Sequence, residues 1–276
     1  RRGTEAAQDQ LVYAQDDDSF YLSVSRSKTD RFIFISAEST VSSEVRYADA
    51  QDPALHFQVV LPRERDHEYQ VQDIGDRFVV RTNWQAKNFR IVEVPIGKES
   101  DRNAWRDVVP HRADAFVGHF DVFDDWLVVE ERSGGLQKLR VKAWQGPREF
   151  LMDAADPAYV MGIGNNPETA GGSLRYTYSS PTTPTTTYDY AFESGVRELR
   201  KRDPVLGDFD PAHYVAEFRF VTARDGTRVP VSLLYRKGTK LDGSAPLYQY
   251  AYGSYGLTSE PSFRSGILSL VDRGFV

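Results

Sequence analysis

The chain has 276 residues, of which 40% are hydrophobic and 13% aromatic, enough to bury the core of one large domain or two ordinary ones. Its formal net charge of −6 argues against nucleic acid or an anionic membrane as a partner, because both call for a basic surface. The absence of cysteine excludes disulfides and cysteine-based metal sites and fits a cytoplasmic location, which we expect. No stretch of the sequence approaches the roughly 18 consecutive apolar residues of a membrane-spanning helix.

A repeat of about 48 residues organises most of the chain. Apolar strand-like segments begin at Asp30, Asp76, Asp125 and Ser173. A strand-like run precedes each of them, and after a polar turn a third run follows; a fourth run often comes next. The preceding runs cover 20–24, 69–74, 120–123 and 159–163, the third runs 44–47, 89–94, 139–144 and 187–192, and the fourth runs 57–61 and 105–109.

Four short strands in each unit of about 40–50 residues are typical of a β-propeller blade. The sequence therefore predicts a mainly β fold, with about four blades over residues 1–207. A β-sandwich explains the alternation of apolar and polar residues but not the regular period. Four-bladed rings are at the small end of the known range, so we expect earlier blades to be missing.

The pattern changes after Asp203. A proline-rich linker covers 204–211, and two alternating runs, 216–223 and 228–235, flank the turn residues Asp225 and Gly226, which is a strong hairpin signal. An apolar strand is predicted at 246–250.

A helix is predicted to begin at Ser259, as N-cap, with Pro261 in its first turn, and to end at Gly274. Its apolar face would carry Phe263, Ile267, Leu270 and Val271, and 275–276 would begin another strand. Strand, loop, helix and strand in this order predict the opening of an α/β domain over residues 208–276. Because the chain starts without methionine and stops on an apolar strand, we expect it to be part of a larger protein.

Few residues carry the chemistry of a complete active site. The nucleophile motif Gly-x-Ser-x-Gly does not occur, and none of the five histidines has the paired spacing of a zinc site. His67, between two acids, is expected to be a solvated histidine at the start of a strand. Acid runs such as Asp16–Asp18 and Glu130–Glu131 are expected in turns and on the surface rather than around calcium. No metal and no cofactor are expected.

The segment Tyr250–Gly256 places several phenols beside flexible, glycine-containing backbone. Such a turn after a predicted strand suits the stabilisation of a developing negative charge, because a phenol can donate a hydrogen bond to an oxyanion. The alternative is that these tyrosines pack in the core at the end of the strand.

The order of these elements, together with several short sequences, resembles the oligopeptidase B branch of the prolyl oligopeptidase family of serine peptidases. The likeness covers nearly the whole length of the chain. It is carried by the segments 65–69, 125–132, 156–160, 223–226, 229–233, 250–256 and 268–276.

The resemblance implies a seven-bladed propeller capping an α/β-hydrolase domain, with a Ser-Asp-His triad between them. It implies cleavage after Arg or Lys in short peptides, whose size the propeller limits. In the family all three triad residues lie beyond the point that corresponds to Val276, so this chain alone should be inactive. Its partners would be short peptides containing basic residues, with neither nucleic acid nor membrane.

Two residues of this chain match functional positions of the family. Tyr252 matches the second tyrosine of the Tyr-x-Tyr-Gly motif, whose hydroxyl donates to the oxyanion; Ala251 stands where relatives usually carry glycine. Glu260 matches the first of two acids that hold basic substrate residues, and Ser262 stands at the second position. The alternatives are a non-catalytic β-propeller that acts as a binding scaffold, and a peptidase of the same family with a different specificity.

Overall fold

The computed structural model describes residues 3–276, which form two compact units, one up to Pro110 and one from His111 to Val276. Within these described residues, nearly all regular structure is β, as the sequence predicts, and the one α-helix is short. None of the described helices is long and apolar enough to cross a membrane.

The first unit contains two four-stranded antiparallel sheets, each a meander in which consecutive strands pair. Their strands coincide with the two predicted repeats, and most of them carry buried apolar side chains, although the first strand of the first sheet is exposed throughout. The first sheet comprises β1 (Tyr21–Arg26), β2 (Phe32–Glu38), β3 (Ser43–Asp49) and β4 (Gln58–Leu61). The second comprises β5 (Tyr69–Asp73), β6 (Arg77–Thr82), β7 (Arg90–Pro95) and β8 (Arg106–Val109).

Aromatic rings fill the core of the first unit. Phe32, Tyr47 and Phe78 are buried in one cluster. The rings of Tyr47 and Phe78 meet edge to face with centroids 4.9 Å apart, a favourable geometry for aromatic pairs. The predicted strands 30–35, 44–47 and 76–80 therefore contribute to one core.

The second unit is built on an eight-stranded sheet made of two further meanders. A single parallel pairing between Gln137 and Val160 joins the two meanders. The first meander comprises β9 (Ala115–Val122), β10 (Trp126–Ser133), β11 (Leu136–Ala143) and β12 (Glu149–Leu151). The second comprises β13 (Val160–Ile163), β14 (Ser173–Ser180), β15 (Thr183–Ala191) and β16 (Arg197–Arg202). The fourth strands of the two meanders, β12 and β16, were not predicted.

The predicted hairpin after the linker is present. Strand β17 (Tyr214–Thr222) pairs with β18 (Arg228–Arg236) in an antiparallel register. The turn residue Gly226 has a φ of +86°, a conformation that glycine adopts without steric cost. The Asp225 carboxylate accepts a hydrogen bond from the Thr227 N–H at 2.9 Å, which fixes the turn.

The α/β opening differs from the prediction in two respects. Residues 246–250 form no regular strand, although backbone hydrogen bonds join Pro246 and Tyr248 to Val276. Helix α1 (Ser265–Val271) begins six residues after Ser259. The Ser259 hydroxyl does not cap the helix but accepts a hydrogen bond from the backbone N–H of Tyr252. The predicted end is confirmed, since Gly274 follows the helix with a φ of +92°.

Candidate functional site

The segment that contains Tyr252 is an open loop. Between Tyr248 and Arg264 its only regular structure in the described chain is the single turn Ser254–Gly256. The side chain of Tyr252 is 49% exposed in this chain. The backbone N–H of Tyr252 donates to the Ser259 hydroxyl at 3.0 Å, which closes the loop on itself.

Backbone strain marks the tip of this loop. Tyr255 has a φ of +58°, in the left-handed region that non-glycine residues rarely adopt, and its side chain is 84% exposed. A tyrosine held in this region costs of order 1–3 kcal/mol, and such residues cluster at functional sites. The loop therefore presents phenols to solvent from a constrained backbone.

The carboxylate of Glu260 lies against strand β10. The Arg132 guanidinium donates one hydrogen bond to each carboxylate oxygen of Glu260, one of them at 3.2 Å, and Thr258 donates a third at 2.9 Å. A bidentate arginine–carboxylate pair is strong and geometrically specific. The structure thus provides Glu260 with an internal cationic partner, which sequence reasoning did not identify.

Two contacts of Phe263 fasten the loop to the sheet of the second unit and to the linker. After Glu260, the Phe263 N–H donates to the buried Ser179 hydroxyl of β14 at 2.9 Å. The Phe263 ring meets Phe209 edge to face, with centroids 5.1 Å apart. The site is therefore formed by residues of β10, β14, the linker and the loop after Tyr252.

The prediction that Glu130 and Glu131 lie in turns and on the surface is wrong. Both lie within β10, and Glu131 is only 2% exposed, between the guanidinium groups of Arg112 and Arg140. Glu130 accepts a hydrogen bond from the Ile163 N–H at 2.9 Å, and burial raises the pKa of its carboxyl group. A surface position was expected because both side chains are charged, whereas Arg112 and Arg140 pair with Glu131 and the Ile163 N–H pairs with Glu130.

Two glycines make room for the Glu130 side chain on the strands beside it. A Cβ at Gly118 would lie 3.1 Å from the Glu130 carbonyl oxygen and 3.3 Å from its Cβ. A Cβ at Gly162 would lie 3.5 Å from the Glu130 carboxylate. The carboxylate therefore sits between β9 and β13.

His67 also differs from its prediction. It is buried, only 4% exposed, and its Nε2 lies 2.9 Å from the Thr82 hydroxyl. Burial lowers the pKa of its imidazole, because the charged form loses its hydration there. His67 is thus a core histidine in the first unit.

The structure brings the two predicted site residues into one loop. Ser259, which accepts from the Tyr252 N–H, is the neighbour of Glu260 along the chain. Arg132 was noted only as part of the segment 125–132. Nothing in the local sequence of β10 indicates that Arg132 pairs with a residue 128 positions later.

Comparisons with known proteins agree with this architecture. The sequence model of the prolyl oligopeptidase N-terminal β-propeller domain matches residues 1–203. The chain is 49% identical over 276 residues to dipeptidyl aminopeptidase BI of Pseudoxanthomonas mexicana, covering 99% of this chain and 38% of that protein. It is 29% identical to protease 2 of Moraxella lacunata, covering 100% of this chain and 39% of that protein.

A solved structure of a similar protein has the same fold over this chain. Oligopeptidase B of Trypanosoma brucei, in its closed form with covalently bound antipain, superposes with a TM-score of 0.91 at 30% identity, over 99% of this chain and 40% of that one. The chain thus spans about two fifths of the length of these relatives. With the family model covering residues 1–203, the chain belongs to the prolyl oligopeptidase family.

Proposed function

We propose that the chain is part of a serine-type oligopeptidase that hydrolyses peptide bonds after Arg or Lys in short peptides. Membership of the prolyl oligopeptidase family supports a peptidase, and the similarity to protease 2 and to oligopeptidase B supports this branch of the family. The residues up to about 207 would belong to the propeller that limits substrate size, and residues 208–276 to the start of the hydrolase domain. The triad would be supplied by the rest of the protein, so the chain by itself would be inactive.

The observation that supports the proposal is the hydrogen bond that ties the backbone of Tyr252 to Ser259, in a member of this family. We propose that its hydroxyl donates to the oxyanion of the tetrahedral intermediate. Such a donor stabilises charge that develops only in the transition state, so it raises turnover more than substrate affinity.

The test is Tyr252→Phe in the full-length enzyme, assayed on a short peptide substrate with arginine before the cleaved bond. We expect kcat to fall by about 10²–10³-fold with little change in KM, which is the usual effect of losing one oxyanion donor. Tyr255→Phe is the matched control, because Tyr255 is a more exposed phenol of the same loop, and it should keep its kcat. An unchanged kcat in Tyr252→Phe would remove the assignment.

For specificity, we propose that Glu260 receives a basic residue of the substrate. Glu260 should contribute only modestly to the binding of that residue, since Arg132 and Thr258 already donate hydrogen bonds to its carboxylate. An incoming guanidinium or ammonium group would compete with Arg132 for the same oxygens. Ser262, at the position of the second acid, adds no charge to attract it.

A second candidate is the release of dipeptides from free N-termini. It is favoured by the relative named dipeptidyl aminopeptidase, which at 49% identity is more similar than protease 2 at 29%. Paired substrates that differ only in a free or acetylated N-terminus distinguish the two activities. An oligopeptidase cleaves both, whereas a dipeptidyl aminopeptidase cleaves only the free one.

A further inference from the structure

Arg132 is held rigidly within the sheet of the second unit. Its guanidinium donates to Gln137 Oε1 on β11 at 3.0 Å, and Gln137 Nε2 donates to the Met161 carbonyl on β13 at 2.8 Å. The side chains of Arg132 and Glu260 are only 22% and 26% exposed. A partly buried, bidentate pair on such a support has one geometry, which fixes the position of Glu260.

The loop transmits this position to Tyr252 through two neighbouring residues. Glu260 is bound to Arg132, and the preceding Ser259 accepts from the backbone N–H of Tyr252. Thr258 donates to Glu260 and so closes the short segment 258–260. The Arg132–Glu260 and Ser259–Tyr252 hydrogen bonds, joined by the covalent link between Ser259 and Glu260, therefore connect β10 to the backbone of the tyrosine.

We propose that Arg132 is a positioning residue for Tyr252. The proposal rests on the oxyanion role proposed above for that tyrosine. An oxyanion donor works only when it is held about 2.7–3.1 Å from the position of the developing charge. A displacement of about 1 Å caused by a remote change can cost about 10²-fold in rate. Of the contacts that tie this loop to the sheet, the Arg132–Glu260 pair is the one beside Ser259, which holds the Tyr252 backbone.

The experiment uses the full-length enzyme with the substitution Arg132→Gln, on short peptide substrates over a concentration range that gives kcat and KM separately. We expect kcat to fall about 10–100-fold, because Tyr252 keeps its hydroxyl but loses its fixed position. KM should not rise, since the substitution also frees the Glu260 carboxylate for a basic residue of the substrate. Arg132→Lys keeps the charge without the bidentate geometry and should recover only part of the lost kcat. Arg175→Gln is the matched control, since Arg175 pairs with Asp189 in the same sheet but has no link to the loop; it should keep its kcat.

The same substitution in the Tyr252→Phe background separates this inference from the proposed function. If Arg132 acts through the phenol, Arg132→Gln should reduce kcat by less than about threefold once the hydroxyl is gone, since residues that act as a unit are not additive. Equal losses in both backgrounds, an unchanged kcat, or an effect confined to KM would each overturn the positioning role. If Tyr252→Phe alone has no effect, it is the oxyanion assignment that fails.

Discussion

Gly135, in the turn between β10 and β11, provides a direct test of how the hairpin β17–β18 packs on the sheet of the second unit. A Cβ added at Gly135 would lie 2.5 Å from Pro230 Cβ, 2.7 Å from Pro230 Cγ and 3.2 Å from Phe218 Cζ. Real Cβ atoms do not approach other atoms so closely, and the proline ring cannot turn away. Gly135→Ala must therefore displace the hairpin or the turn.

Two effects contribute to the expected loss of stability. Gly135 has a φ of +83°, and a side chain in the left-handed region costs about 1–2 kcal/mol. Forcing an extra methyl into a packed contact costs about 1–3 kcal/mol. The neighbouring Gly134 has a φ of +58° but nothing within 4 Å of an added Cβ, so Gly134→Ala carries the first cost without the second.

The assay is thermal unfolding of both variants beside the unsubstituted chain. Gly135→Ala should be less stable than Gly134→Ala by about 1–3 kcal/mol, which at about 2–4 °C for each kcal/mol is a readily measured difference in Tm. Amide exchange should show the extra opening in β17 and β18. Equal Tm values for the two variants would refute the packing of Pro230 on this turn.

Two further predictions concern buried ionisable groups. Because the pKa of His67 is lowered in the folded chain, stability should fall as pH drops from about 6.5 towards that lowered value, where the unfolded state binds the extra proton. His67→Gln should abolish this slope in unfolding measurements between pH 7 and 5; a slope that survives assigns it to another group. Glu131→Ala should cost about 3 kcal/mol in denaturant unfolding, since it leaves Arg140 and Arg112 facing a buried site without their carboxylate. The control Glu198→Ala removes an exposed ion pair and should cost at most about 1 kcal/mol, and equal losses would contradict the buried pairing.

Much of the backbone was predictable because the signals are local. Short apolar runs such as 76–80, recurring at a regular period, predicted strands. The pair Asp225 and Gly226 predicted the hairpin because only certain residues fit its turn. The helix start at Ser259 was predicted wrongly because a serine hydroxyl caps whichever N–H lies near it, and here that N–H belongs to Tyr252.

The candidate site was predictable only as separate residues. Tyr252 and Glu260 were singled out by resemblance to a family, and their roles remain predictions. The contact between Arg132 and Glu260 has no local signal, because it joins a strand to a loop across 128 positions of the sequence. The sequence around a charged residue in a strand is the same whether water or a distant carboxylate faces its side chain.

By itself, the sequence determined the β meanders and the hairpin, since turn chemistry and the strand pattern act over a few neighbouring residues. The family followed from the resemblance of whole segments, and the propeller-domain match over residues 1–203 confirms it. Only the tertiary structure decided that Glu131 and His67 are buried and that Glu260 has a cationic partner. Burial and charge pairing depend on which segments pack together. The free energy of a charged group depends on the atoms around it, which its position in the sequence does not reveal.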